Sequence, residues 1–340
     1  MSVIILGIET SCDETSAAVV VDGRVIRSNI ISSQVDVHSK FGGVVPEVAS
    51  RKHLELINNV IREALDTAGL SFSDLNAVAV TYGPGLVGAL LVGVAAAKSV
   101  SFGLDIPLLG VNHLEGHVFA NLLMEPNPGF PLICLVVSGG HTDLLLMHGP
   151  GRYELLGATR DDAAGEAFDK VARVLGLGYP GGPQVDKLAE TGDPQAVALP
   201  RSYLEEGSLD FSFSGLKTAV INHLHRAKQR GEEINPANVA AGFRQAVVDV
   251  LVRKTLAAVK LCDTRVIMLA GGVAANKLLR EELAARATGQ GLRLIYPPPE
   301  LCTDNAAMIA CAAYYKYLRG DFAPITLNAV PGLPLGRDCY

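Results

Sequence analysis

One pattern constrains this chain more than any other: it opens in the same way twice. Residues 4–10 form an apolar run, residues 11–14 a polar turn and residues 15–21 a second apolar run. After the break at Glu125-Pro126-Asn127-Pro128-Gly129, residues 132–137, 138–140 and 142–147 repeat that theme. A restated strand–turn–strand opening implies an internal duplication. The length of 340 residues suits two domains at about 100–200 residues each. We place the boundary at this loop, giving residues 1–128 and 129–302, and expect a C-terminal helix over 303–325 to return and pack on the first domain.

Between the two openings, strand and helix signals alternate, so the expected class is α/β. Asp22-Gly23 between two apolar runs predicts a hairpin. Val48, Leu54, Ile57, Ile61 and Leu65 fall near the 3.6 period and predict a helix over 45–68 with these side chains inward. Strands are expected over 77–81, 108–111 and 266–270. Helices are expected over 86–102, 113–123, 164–175, 216–230, 236–262, 274–286 and 305–318.

Composition narrows the function. Apolar residues make up 49% and charged residues 19%, so the chain can bury a large core and is not disordered. Lys+Arg number 29 against 35 Asp+Glu, a net charge of −6, so bulk charge does not make it a polyanion binder. The basic residues Lys217, His223, His225, Arg226, Lys228 and Arg230 share one helical stretch, for which a solvated face is the default reading. The N-terminus has no basic segment before its apolar run, which predicts no targeting signal. Residues 86–109 are the most membrane-like stretch, but Lys98, Asp105 and Pro107 interrupt them, which predicts a buried helix and a strand. The six cysteines (12, 134, 262, 302, 311, 339) form no CxxC pair, as suits reduced thiols in a cytoplasm.

Five clusters carry candidate chemistry. In His113-Leu114-Glu115-Gly116-His117, two imidazoles at i and i+4 share a helix face, a common way to hold a transition metal. Glu115 lies about 200° round the helix from the first His and makes a poor general base for proteolysis. Asp304 is the candidate third ligand, though taken alone it reads first as an N-cap for the last helix. Two His and a carboxylate suit Fe(II) or Zn(II), without choosing between them.

Val136-Val137-Ser138-Gly139-Gly140-His141 carries a strand into a Gly pair, which is either an anion-binding nest or a plain hairpin turn. Gly271-Gly272 leads a strand into a helix and brings Asn276 to the turn, a place for a phosphate or a nucleobase edge. Asp169, Asp186 and the Gly/Pro loop 178–183, with Gly182, could shape a ribose site, but each alone reads first as a solvated helix face or a surface loop. Glu9-Thr10-Ser11-Cys12-Asp13-Glu14-Thr15 is a dense polar cluster directly after a buried strand.

Together and in this order, these clusters resemble one family, the universal tRNA N6-adenosine threonylcarbamoyltransferases (TsaD). The matching stretches are 7–15, 113–117, 137–142, 178–183, Phe211-Ser212-Phe213-Ser214-Gly215-Leu216-Lys217-Thr218, 271–276 and 303–305. The resemblance implies the actin-like, sugar-kinase and Hsp70-type (ASKHA) architecture, with a duplicated core of two related α/β domains. It implies transfer of threonylcarbamoyl from threonylcarbamoyl-AMP to N6 of the adenosine 3′ of the anticodon, in tRNAs reading codons that begin with A. It also implies a divalent metal, Fe(II) before Zn(II), held by His113, His117 and Asp304. Val136, Val137, Ser138, Gly139, Gly140, Asp169, Gly182, Asp186 and Asn276 match the family's substrate-binding positions. Asp13, Glu14 and His141 are the candidates for orienting tRNA or moving a proton. Partners implied are tRNA, a TsaB-like paralogue and a TsaE-like ATPase, with no membrane and a cytoplasmic location. Residues 327–340 carry no usable motif.

A small-molecule kinase of the same fold superfamily is the alternative. It does not need the His pair, because Mg²⁺ prefers oxygen ligands. A metalloprotease and a non-catalytic scaffold are weaker readings.

Overall fold

The structure, a computed structural model, describes residues 2–336 apart from 204 and 206. Cys339 and the end of the motif-free tail lie outside the described residues. The chain divides into two compact units. One comprises Met1–Pro128, Pro150–Arg152 and Pro297–Tyr340; the other comprises Gly129–Gly149 and Tyr153–Tyr296.

The first unit contains, in chain order, β1 (Ile4–Glu9), β2 (Glu14–Val21), β3 (Val25–Ser33), α1 (Val35–His38), α2 (Pro46–Ala68), β4 (Ala77–Gly83), α3 (Val87–Leu104), β5 (Leu108–Asn112) and α4 (His113–Met124). In the second follow β6 (Leu132–Val137), β7 (Thr142–Gly149), β8 (Arg152–Ala158), α5 (Ala164–Val174), α6 (Gly181–Ala189), α7 (Ser214–Arg230), α8 (Pro236–Cys262), β9 (Val266–Ala270), α9 (Lys277–Thr288) and β10 (Arg293–Ile295). The last helix, α10 (Ala306–Arg319), belongs to the first unit.

The two sheets have one strand order. The first runs β3-β2-β1-β4-β5 and the second, read from its other edge, β8-β7-β6-β9-β10. In each, the leading strand pairs antiparallel with the next in sequence and parallel with the fourth. The repeated opening is therefore a repeated sheet topology, and the fold is α/β with a duplicated core.

Side-chain alternation sorts the first sheet into two faces. Leu6, Ile8, Ala17, Val19, Val78 and Val80 join Ile57, Val60, Ile61 and Ala64 of α2 and Val92, Val94 and Ala97 of α3 in one apolar core. The opposite face carries Gly7, Glu9, Ser16 and Thr81, and α10 packs there. Ser16 Oγ accepts from the Ala306 N–H at 2.9 Å. A Cβ on Gly7 would collide with the Ala306 carbonyl oxygen, so only glycine lets the start of α10 approach β1 this closely. A Cβ on Gly116 would come within 2.6 Å of Ile309 Cδ1, so α4 and α10 also meet at a glycine.

Two expectations need correction. Leu54 is exposed rather than inward. His53 takes that seat on α2, because Thr15 Oγ1 lies 2.7 Å from its Nδ1 and the Cys12 carbonyl oxygen 3.0 Å from its Nε2. The helix expected from 274 begins at Lys277, after a short 3-10 turn over Gly272–Ala275. The tail without a motif is structural: Leu327 and Leu333 are buried in the first core, and the Val330 N–H donates to the Tyr82 carbonyl at 2.7 Å. The membrane-like stretch folds as the helix α3 and the strand β5. α3 is long and apolar enough to cross a membrane by composition, and it packs against β4 and α2.

Candidate functional site

The first unit builds a compact group of ionisable side chains where β1 ends and α4 and α10 begin. Asn112 caps α4, its side-chain oxygen accepting from the N–H groups of Leu114 (2.9 Å) and Glu115 (3.4 Å). The helix thus starts directly at His113, and His117 follows one turn later on the same face. Their rings lie edge to face with centroids 4.7 Å apart. At α10 the cap is Asn305, whose side-chain oxygen accepts from the Met308 N–H at 3.0 Å. Asp304 is released from the capping role the sequence allowed it. Its Oδ1 lies 3.2 Å from His117 Nε2 and 3.4 Å from His113 Nε2.

Glu9 completes the arrangement; the sequence places it in the polar cluster 9–15 but gives it no partner. It is fully buried, and its Oε2 lies 3.0 Å from His113 Nδ1 and accepts from Thr81 Oγ1 at 2.6 Å. Glu9 therefore fixes the His113 tautomer with the proton on Nδ1 and leaves Nε2 facing Asp304. The available signal was a carboxylate ending an apolar strand at the head of that cluster, on the same face as Gly7.

The donor set suits a divalent transition metal. Two imidazole nitrogens and one carboxylate oxygen lie within 4.8 Å of one another, and the two His residues are 8% and 1% exposed. Nδ1 of His117 is buried without a hydrogen-bond partner among the described residues, so that ring is held only through Nε2 and Asp304. Without an ion, the group polarises itself. Burial opposes a charge on His113, but Asp304 and Glu9 overcome it and raise its pKa to about 9. Burial pushes the Asp304 carboxyl up, yet the two imidazoles outweigh it and hold it near 2. Glu14, at the start of β2, is pushed up to about 9 by burial first and then by the charges of Asp304 and Asp13. Asp13 is buried beside it.

In the second unit, the candidate substrate positions are linked through direct contacts. Ser138–His141 is a hairpin turn, with the Ser138 N–H donating to the His141 carbonyl at 2.9 Å. The Gly165 N–H at the start of α5 donates to the Ser138 carbonyl at 3.2 Å. Gly271, at φ 91, packs so close to the Val137 carbonyl that no side chain fits. Asp169 Oδ1 accepts from the Gly181 N–H at 2.8 Å. Asp186 Oδ1 accepts from Asn276 Nδ2 and from Arg244 Nη1, each at 2.9 Å. Asn276 also caps α9, accepting from the Leu279 N–H at 2.9 Å. Its side chain is thus engaged within the protein, with Asp186 as its partner. Gly139, Gly140, Gly182 and Gly272 face open space where a Cβ would stand, so packing does not require glycine there. Val136 and Val137 are fully buried in β6, so neither offers an exposed side chain.

The fold has known counterparts. The chain is similar to component A of the (R)-2-hydroxyglutaryl-CoA dehydratase of Acidaminococcus fermentans, with a TM-score of 0.53 and 17% identity over 93% of this chain and 99% of that one. It is also similar to HypF of T. kodakarensis, with a TM-score of 0.60 and 15% identity over 93% of this chain and 48% of that one. Fold and site together define an ASKHA-type protein with two α/β units, one of which holds a group able to bind a metal.

Sequence comparison narrows the class. The family model for tRNA N6-adenosine threonylcarbamoyltransferase matches residues 25–311. Relatives of that name from Moorella thermoacetica and Symbiobacterium thermophilum are 63% and 62% identical, over 97% and 98% of this chain and 97% of each relative. The chain belongs to the tRNA N6-adenosine threonylcarbamoyltransferase family, whose members are acyltransferases.

Proposed function

We propose that the chain transfers threonylcarbamoyl from threonylcarbamoyl-AMP to N6 of the adenosine 3′ of the anticodon, in tRNAs that read codons beginning with A. The observation that carries this reading is the buried His113–His117–Asp304 group, backed by Glu9, in a chain of this family. In the reaction, the N6 lone pair attacks the carbamoyl carbon and the bond from that carbon to the phosphate oxygen breaks. AMP departs with the electron pair, and the N6 proton passes to a base. The lone pair is delocalised into the adenine ring, so positioning against an activated carbonyl is the main demand.

His113, His117 and Asp304 would hold the divalent ion, Fe(II) in our reading and Zn(II) as the alternative. Bound there, it supplies Lewis-acid polarisation of the carbamoyl carbonyl. The backbone from Val136 through Val137 and Ser138 to Gly139 and Gly140 would line the adenylate, with Gly182 admitting it closely. Asp169, Asp186 and Asn276 would shape the same wall, acting in part by holding the loops at Gly181 and α9. Asp13, Glu14 and His141 would orient tRNA or move the proton. Glu14, which burial and the charges of Asp304 and Asp13 push up to about 9 without an ion, suits a hydrogen-bond donor.

In this reading, residues 1–128 with 303–325 form one domain and 129–302 the other. The reaction runs in the cytoplasm with a TsaB-like paralogue and a TsaE-like ATPase. Val87, Leu91 and Phe102 stand exposed along α3, and Leu54 on α2, which supports a protein partner on the first unit.

The test is reconstitution. Unmodified tRNA, threonine, bicarbonate, ATP, an adenylate synthase and the two partner proteins are combined with and without this chain. Digested nucleosides are then read by mass spectrometry. Threonylcarbamoyladenosine formed only with the chain supports the transferase. Its absence beside a working homologue control moves the kinase reading forward.

A further inference from the structure

α7 is a 17-residue helix without one acidic side chain. It carries Lys217, Arg226, Lys228 and Arg230, with His223 and His225, in a chain whose net charge is −6. The exposed helix α9 is built differently: Lys277 and Arg286 each face a glutamate four residues away.

On α7, Lys217 is held by Asp162 at 3.2 Å and Arg230 by Glu232 at 3.6 Å. Arg226 and Lys228 are exposed and have no ion pair among the described residues. Cations in the last turn favour a helix, which accounts for Lys228 and Arg230 but not for Arg226. Arg226 and Arg230 stand at i and i+4, a like-charge spacing that costs helix stability. Leu216, Val220 and Ala227 turn inward. Asn222, His225 and Gln229 join the cations on the exposed face.

The helix is firmly seated. Asp161 accepts from the hydroxyls of Ser212 and Ser214, each at 2.6 Å, and from the N–H groups of Phe213 (2.9 Å) and Ser214 (3.2 Å). The cationic face is therefore carried by an anchored element.

We propose that the exposed face of α7 docks the phosphate backbone of tRNA, with Arg226 and Lys228 as its phosphate contacts. Charge complementarity carries the choice of occupant: Arg226 and Lys228 are open, unpaired cations at the two edges of the exposed face, with Asn222, His225 and Gln229 between them, on an acidic chain that acts on a polyanion. The proposal rests on the transferase reading above.

The test uses the full chain and unmodified tRNA, with affinity measured across a salt series. Arg226→Gln/Lys228→Gln should weaken binding by about 5- to 50-fold near 0.1 M salt and reduce the log–log salt slope by up to about 2. A reversed-charge variant, Arg226→Glu/Lys228→Glu, should weaken it further, and both should melt at the wild-type temperature. The control Lys277→Gln/Arg286→Gln, on α9, should stay within about twofold, since no phosphate contact is lost. Unchanged affinity and slope in the α7 variants, with wild type binding and modifying tRNA, would overturn the docking face. Wild type that neither binds nor modifies tRNA would instead sink the transferase reading.

Discussion

Glu9 Oε2 lies 3.0 Å from His113 Nδ1, joining the last residue of β1 to the first residue of α4 across the sheet face that α10 covers. This carboxylate sets the tautomer of an imidazole whose other nitrogen faces Asp304. Its removal should therefore be felt at the ion. Glu9→Gln should lower metal affinity by about 10- to 100-fold, the usual cost of losing such a backing group. Metal-competition titration checks this; unchanged affinity would assign Glu9 to packing alone.

Substitution of either imidazole should act more severely. His113→Ala or His117→Ala is expected to abolish both metal retention and transfer, because two remaining donors do not define a site. Elemental analysis of purified protein beside the nucleoside assay gives both readouts. Fully loaded, active protein from either variant would contradict the ligand assignment.

Proton release should accompany ion uptake. His113 is raised to about 9 in the ion-free protein, so it is protonated at neutral pH and must lose that proton to ligate. Apparent affinity should rise about tenfold per pH unit between pH 6 and 8. Calorimetry in buffers of different ionisation enthalpy should count about one proton per ion. The same shifts predict the stability of the ion-free protein. The contribution from His113 is complete below its unfolded value of 6.5 and lost as pH rises through about 9. That of Asp304 is complete above 3.8 and lost as pH falls through about 2. Together they stabilise most between 3.8 and 6.5.

Asp143 offers a test in the second unit. Burial raises its carboxyl to about 6 from 3.8. The native state then binds more protons than the unfolded chain between those values, so stability falls as pH rises through that window. Asp143→Asn should remove the dependence and stabilise the protein at pH 7 by roughly 1–3 kcal/mol. Thermal melts of both proteins from pH 4 to 7 decide it; parallel curves would refute it.

Gly7→Ala should destabilise the first unit and loosen the ion site at once, because the added methyl collides with the Ala306 carbonyl two residues beyond Asp304. The expected loss is on the order of 1–3 kcal/mol, typical of overpacking. Denaturant unfolding with and without metal measures both effects.

Much of this was legible from residue order. The Asp22-Gly23 hairpin, the strand over 266–270 and the helix over 236–262 follow local rules that tertiary context leaves intact. The His113–His117 spacing is local in the same sense. What stayed hidden depends on contacts between distant segments. Asp304 and Asn305 are equal candidates for a cap in sequence, and only the approach of α10 to α4 separates them. Glu9 meets His113 across 104 positions, which no periodicity encodes. Leu54 misled because a histidine can take an apolar seat when both its nitrogens are bonded.

The position of Asp304 also sets an order of events during synthesis. His113 and His117 leave the ribosome long before the aspartate that faces them, and all of Tyr153–Tyr296 emerges in the interval. The second unit has every strand it needs while the first still lacks α10, the helix covering one face of its sheet. Domains fold as their chain emerges, so the earlier-begun unit is the later to finish. A nascent chain stopped between His117 and Asp304 carries two imidazoles and Glu9 but lacks the carboxylate that faces both rings. Closure of the proposed ion site thereby waits on the synthesis of Asp304 and the start of α10.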